Sequence, residues 1–172
     1  TEEHCGARVD IFVGTFGKAF GVNGGFVAGS PELIEAVRQK ADTYTYTNPL
    51  GPADAAAAAK AIDIADAPEG RARLANLQAR TTQFRRGLES LGFESIPGPH
   101  PVVPLLVRDT GRGRAMVAGL FERGILAVGL TYPVVPPGDE TIRFQINAAH
   151  TEADIDALLG ALQELKISAS GV

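Results

Sequence analysis

Apolar positions along this chain fall first into short runs broken by glycine, then into helical stripes, and last into strands that alternate with helices. Val9 to Val13 (VDIFV) is a compact, largely β-branched run that ends at Gly14 and predicts a buried strand. Residues 14–29 (GTFGKAFGVNGGFVAG) hold six glycines, with Phe26-Val27-Ala28 as a second short strand, so a tight loop between two strands is expected. Ser30 then stands before Pro31 and Glu32, and Leu33, Ile34 and Val37 recur at helical spacing. Ser30 is thus placed to cap a helix that has proline in its first position and runs to about Lys40. Thr43 to Pro52 (TYTYTNPLGP) reads as a polar and aromatic loop, and the alanines from Ala53 to Asp66 predict a helix packed closely against its surroundings.

A long amphipathic helix follows Pro68, from Glu69 to about Leu91, with Leu74, Leu77, Gln78, Phe84, Leu88 and Leu91 on one stripe and Gly92 closing it. Beyond it the period changes. Strands are predicted over Val102–Val107, Ile125–Gly129 and Thr141–Ile146, with a helix around Arg112–Arg123 closed by Gly124. Thr151 and Asp154 form a capping box ahead of a last helix whose apolar face is Ile155, Leu158, Leu159, Leu162 and Leu165. The C-terminal half therefore reads as a strand-helix-strand-strand-helix lobe of α+β type.

The length of 172 residues suits one domain with a real core or one lobe of a larger enzyme. Charged residues at 21% and hydrophobic residues at 45% exclude disordered, collagen-like and coiled-coil classes. Net charge is −4 and the sixteen Lys and Arg are scattered, so neither nucleic acid nor an anionic membrane is the expected partner, and a small molecule is. A single cysteine, Cys5, forms no internal disulfide and suits a reducing compartment, with the cytoplasm as the expected location. No run of about 18 apolar residues exists, and TEEHCGARVD lacks the pattern of a leader. The chain starts on Thr1, directly ahead of a strand pattern, and is expected to be a fragment.

A lysine set among glycines after a strand has three chemical readings. A P-loop needs glycine where Phe12 stands and Ser or Thr where Ala19 stands. A dinucleotide fingerprint needs glycines at i, i+2 and i+5, and no triple here satisfies it. A Schiff-base lysine needs a constrained backbone and small neighbours that leave room for a ring, and Lys18 meets that description. By composition alone a solvated turn lysine, with glycines that only bend the chain, is the favoured reading. His4 and Cys5 have no companions at metal-ligand spacing, so no metal site is expected, and His150 reads as a residue leading into the last helix.

Asp10 to Arg38 (DIFVGTFGKAFGVNGGFVAGSPELIEAVR) resembles the lysine segment of the α-oxoamine synthase family, a branch of the fold-type I pyridoxal-phosphate enzymes. The resemblance continues through Tyr44–Pro52, Pro99–Val107, Gly129–Thr151 and the closing helix, and covers nearly the whole chain. Within the family, YPVVP-x-G followed by IR-x-Q-x-x-AAHT is most similar to the glycine C-acetyltransferase branch. The fold implied is α/β, with residues 1–68 as the end of the cofactor-binding large domain, 69–91 as a connecting helix and 92–172 as the C-terminal small domain.

The resemblance implies that Lys18 carries pyridoxal 5'-phosphate as an internal aldimine and acts as acid and base at the substrate α-carbon. It implies that Thr15 binds the cofactor phosphate, that Thr47 and Asn48 donate to phosphate across a homodimer with shared active sites, and that Arg143 grips the amino-acid carboxylate. Taken without the family, Thr15 is a strand-end residue, Thr47 and Asn48 are turn residues, and Arg143 is an exposed-face strand residue. The activity implied is condensation of glycine or another small amino acid with an acyl-CoA. Alternatives are 8-amino-7-oxononanoate, 5-aminolevulinate or a related synthase, and, outside enzymes, a dimerisation module.

Two departures bear on this. The loop after Lys18 (AFGVNGGF) is shorter by one residue and is similar to 5-aminolevulinate synthase, and Pro49 replaces the commoner Ser or Thr, so acyl specificity stays open. The family's pyridinium-binding aspartate, its partner histidine and the stacking ring fall before the lysine segment, and Asp10 is too close to Lys18 to be that aspartate. The chain alone is expected to be inactive, with its first strand open to pairing.

Overall fold

The computed structural model describes residues 9–169, with side chains to residue 166, so His4 and Cys5 lie outside the described residues. Two compact units divide between Gly70 and Arg71. The first holds β1 (Phe12–Thr15), β2 (Gly25–Ala28), α1 (Pro31–Lys40), α2 (Asp42–Tyr46) and α3 (Pro52–Asp66). A long helix, α4 (Pro68–Ser90), starts at its end and belongs mainly to the second unit, which continues with β3 (Val102–Leu106), α5 (Thr110–Glu122), β4 (Val128–Leu130), β5 (Thr141–Gln145) and α6 (Glu152–Ala169).

In the first unit β1 and β2 form an antiparallel two-stranded ribbon in which Phe12 faces Ala28 and Thr15 faces Gly25. The buried strand expected over Val9–Val13 is neither there nor buried. It begins at Phe12 and runs on through Gly14, and Val13 is 77% exposed, because no layer among the described residues covers the ribbon. Phe16 and Ala58 are the buried apolar residues described in this unit. Among the described residues the close packing expected of the α3 alanines is made at Ala58 alone. Ser30 caps α1 as its sequence position predicts, accepting from the Leu33 N–H at 3.3 Å. The loop expected over Thr43–Pro52 contains a helical turn, α2, started by Tyr44 and Thr45 amides donating to the Ala41 carbonyl.

The second unit has a conventional core. Its sheet has the order β3-β5-β4, all antiparallel, with Arg143 opposite Pro104 on one side and Val128 on the other. Alternation is strict: Val103, Leu105, Ile142 and Phe144 face inward and are buried, while Arg143 and Gln145 face out. Phe84 and Leu88 of α4, Met116 and Leu120 of α5, and Ile155 and Leu162 of α6 close over the inner face. Phe84 meets Phe144 edge-on at 5.1 Å. The strand expected at Ile125 starts three residues later, at Val128. The Ile125 amide is spent on the Leu120 carbonyl, so Ile125 belongs to the end of α5, which turns at Gly124 with φ 74°.

Polar side chains of α4 hold the turn after β5. Asn76 Nδ2 donates to the Ala148 and His150 carbonyls at 3.0 Å each, Gln83 donates to Asp156 Oδ1 at 2.7 Å, and Arg80 pairs with Glu152 at 3.4 Å. The capping box forms as expected: the Asp154 N–H donates to Thr151 Oγ1 at 3.2 Å, and the Thr151 N–H and hydroxyl donate back to Asp154 Oδ2 at 2.8 Å. Those donors, the backbone N–H foremost, hold the Asp154 carboxyl below its ordinary value.

Phe84→Ala, in the centre of this core, is expected to cost roughly 3 to 5 kcal/mol in urea unfolding, as a phenylalanine-sized cavity does. The lowered Asp154 value means the charged form is favoured in the folded state. Its stabilisation is present above the ordinary carboxylate range, near pH 4, and is lost as pH falls through the folded-state value. Asp154→Asn should therefore flatten the acid limb of a melting-temperature profile below about pH 4 and change its slope little above pH 6.

Candidate active site

Lys18 sits on the loop joining β1 to β2, and that loop is closed by three backbone bonds. The Phe16 N–H donates to the Gly24 carbonyl at 2.9 Å, the Val22 N–H to the Phe16 carbonyl at 3.0 Å, and the Gly21 N–H to the Lys18 carbonyl at 3.0 Å. Gly21 makes this last turn with φ 63°. Phe16, 8% exposed, anchors the base of the loop between the rings of Phe20 at 5.9 Å and Phe26 at 5.7 Å. The backbone at Lys18 is therefore fixed while its side chain is exposed, with no hydrogen bond or ion pair to any described residue.

Two of the glycines are there because strands approach closely. A Cβ on Gly14 would stand 2.3 Å from Phe26 Cε1, and one on Gly25 would stand 2.5 Å from the Gly14 carbonyl oxygen. Thr15 Oγ1 accepts from the Gly17 N–H at 3.1 Å, which leaves the hydroxyl proton available to an outside acceptor.

Thr47 and Asn48 follow α2. The Thr47 hydroxyl donates to the Thr43 carbonyl, and Asn48 is exposed without a partner among the described residues. Two residues on, Leu50 lies over the Cα of Gly24, so the structure joins this segment to the Lys18 loop. The sequence marked Phe26 only as a strand residue and did not mark Phe16 or Leu50; the contact of Leu50 with Gly24 spans residues distant along the chain, and an apolar residue in an otherwise polar stretch was the one available sign.

Arg143 lies in the second unit, exposed on the outer face of β5 beside Pro104 and Val128. It borders a groove of about 550 Å³ with Ile96, Pro104, Leu106, Leu130 and Val135. A second arginine on that groove, Arg108, is spent on Glu94 at 2.6 Å, and this bond raises its value further above the ordinary one. Arg143 has no such partner among the described residues. His150 serves the turn before α6: its Nδ1 accepts from the Asn147 N–H at 3.3 Å and its carbonyl accepts from Asn76.

The lysine hairpin and the antiparallel small lobe are those of the fold-type I pyridoxal-phosphate-dependent transferases. Serine palmitoyltransferase, solved with a pyridoxal-phosphate internal aldimine, superposes with a TM-score of 0.91 at 26% identity over 99% of this chain and 43% of its own. The Sphingomonas wittichii serine palmitoyltransferase gives 0.88 at 25% identity over 96% and 42%. The chain belongs to the aminotransferase class I and II family, which matches residues 3–162, and its relatives are α-oxoamine synthases. It is 40% identical over 158 residues to 8-amino-7-oxononanoate synthase of Marinobacter nauticus, covering 92% of this chain and 40% of that protein. The Thermosipho melanesiensis enzyme of the same name is 38% identical over 165 residues, covering 95% and 42%. The chain thus spans about two fifths of the length of the curated relatives it matches. Theirs is one of the activities left open beside glycine C-acetyltransferase.

Gly25→Ala is expected to cost the hairpin roughly 1 to 3 kcal/mol, because the new Cβ meets backbone that cannot move aside. Gly17→Ala, whose Cβ would come no closer than 3.5 Å to Thr15 Oγ1, should cost less than about 1 kcal/mol. Hydrogen exchange at the Phe16 and Val22 amides measures the difference, and equal protection in both variants would contradict it.

Proposed function

We propose that the protein is a pyridoxal-phosphate-dependent C-acyltransferase that condenses a small amino acid with an acyl-CoA, releasing coenzyme A to give a 2-amino-3-oxo acid, or coenzyme A and carbon dioxide where the product is an α-amino ketone. The observation that carries this is Lys18: an exposed amine without a partner among the described residues, on a backbone held by three hydrogen bonds and an aromatic anchor. Such an amine is open to a carbonyl, and its glycine neighbours at 17 and 21 leave space for a ring. When bound, pyridoxal phosphate supplies the electron sink that lets a proton leave the amino-acid α-carbon.

In this reading the Lys18 amine takes that proton and returns one after the acyl group has joined. The Thr15 hydroxyl donates to a phosphate oxygen while its lone pair stays on the Gly17 N–H. The Asn48 amide donates likewise, and the Thr47 hydroxyl does so by rotating away from the Thr43 carbonyl. Arg143 holds the substrate carboxylate by two parallel donors, a task for which its planar fork is suited and its lack of a described partner leaves it available. Among the acyltransferases, 8-amino-7-oxononanoate synthase is favoured by the 38–40% identity to enzymes of that name. The active protein is a cytoplasmic homodimer with shared sites; no helix among the described residues is long and apolar enough to cross a membrane.

Borohydride reduction of the full-length protein with pyridoxal phosphate, followed by peptide mapping, is expected to label Lys18. A label on another lysine, or on none, overturns the reading. Arg143→Ala should lose roughly 2 to 4 kcal/mol of carboxylate binding, seen as a raised amino-acid KM with cofactor absorbance retained. An unchanged KM would make Arg143 a strand-face residue only.

A further inference from the structure

Gly24 is the point at which the Lys18 hairpin touches the Thr47–Gly51 segment. Its carbonyl accepts the Phe16 N–H that closes the base of the hairpin, and its φ of 99° turns its Cα outward in a conformation that favours glycine. Leu50 covers that Cα: a Cβ there would lie 2.7 Å from Leu50 Cδ1 and 3.6 Å from both Cγ and Cδ2. Leu50 is the large apolar side chain in a stretch that is otherwise polar, glycine or proline (TNPLGP).

The chain on either side of Leu50 is stiff. Pro49 has its φ locked by its ring and pushes Asn48 toward extended backbone. Gly51 is the N-cap of α3, its carbonyl accepting from the Ala55 N–H at 3.0 Å, and Pro52 starts the helix. A displacement of Leu50 is therefore passed to Asn48 through one rigid residue instead of being absorbed.

We propose that Leu50 is a positioning residue: seated on Gly24 of its own chain, it fixes the place from which Thr47 and Asn48 donate across the homodimer, and so tunes affinity for the phosphate of the cofactor bound there and not for its aldehyde. This rests on the reading of Lys18 as the cofactor lysine and of Thr47 and Asn48 as phosphate donors. Leu50 is 38% exposed, so shortening it leaves no large cavity.

The test compares pyridoxal phosphate with pyridoxal, which has the aldehyde and lacks the phosphate, on the full-length protein and its Leu50→Ala and Leu50→Met variants. Affinity is followed by absorbance, and attachment at Lys18 by borohydride trapping and peptide mapping. In Leu50→Ala the affinity for pyridoxal phosphate should fall roughly tenfold to a hundredfold, as for a group displaced by a fraction of an ångström to one ångström, with pyridoxal trapping at Lys18 unchanged. Leu50→Met, which keeps an apolar end of similar reach, should restore most of the loss. Unchanged pyridoxal-phosphate affinity in Leu50→Ala, or an equal fall for both compounds, overturns the proposal while Lys18 labelling in the parent protein still stands. Absence of that label in the parent protein overturns the functional reading and this proposal with it.

Discussion

Between β1 and β2 the two backbones come so close that a Cβ on Gly25 would stand 2.5 Å from the Gly14 carbonyl oxygen, and the Phe26 ring occupies the space a Cβ on Gly14 would need. This approach places Phe16 and Gly24 at hydrogen-bond distance, and their bond sets the base of the loop. The path of the loop is then forced: Phe16 turns into the aromatic cluster, the chain folds back from Lys18 to Gly21, and the lysine side chain is left outside. A loop of six glycines would otherwise be costly to order, since glycine loses more backbone entropy on folding than any other residue. Steric necessity at Gly14 and Gly25, and a positive φ at Gly21 and Gly24, account for most of that composition without invoking a phosphate cradle.

The two units divide the physical labour unequally. The second has a core drawn from three helices and a sheet, and its loops are pinned by specific side chains such as Asn76 and Asp154. The first buries little apolar area among its described residues and relies on backbone bonds and one phenylalanine anchor around the proposed catalytic lysine. Reactive groups are commonly found where local stability is low and side chains can move, provided the backbone beneath them is held. Lys18 meets both conditions at once, because the restraint acts on its main chain alone.

Much of this was legible from residue order. Local chemistry writes itself into sequence, so the Ser30 cap, the Thr151–Asp154 box, the strand alternation around Ile142 and Phe144 and the glycine ends of helices could be read at their positions. Expectation and structure part where a distant partner decides. Val13 has the composition of a buried strand but nothing described covers it, and Ile125 is apolar and β-branched yet its amide is taken by the end of α5. The same applies at the site. Spacing alone could reject a P-loop and a dinucleotide fingerprint at Lys18, whereas the contact of Leu50 with Gly24 joins residues 26 positions apart and has no local signature.

Arg143 illustrates how a strand position of ordinary pattern acquires chemical meaning from its neighbours. Its cross-strand partners on the outer face are Pro104 and Val128, and neither can neutralise a guanidinium. Arg108 borders the same groove with its charge already matched by Glu94. An anion entering the groove would therefore gain little from Arg108, because Glu94 opposes it, and more from Arg143, which has no hydrogen bond or ion pair to a described residue, although the Asp139 carboxylate on the same groove weakens the attraction. The alternation that fixes Arg143 on the outer face is set by burial of Ile142 and Phe144 on either side of it, so the packing of the core determines which way this charge points.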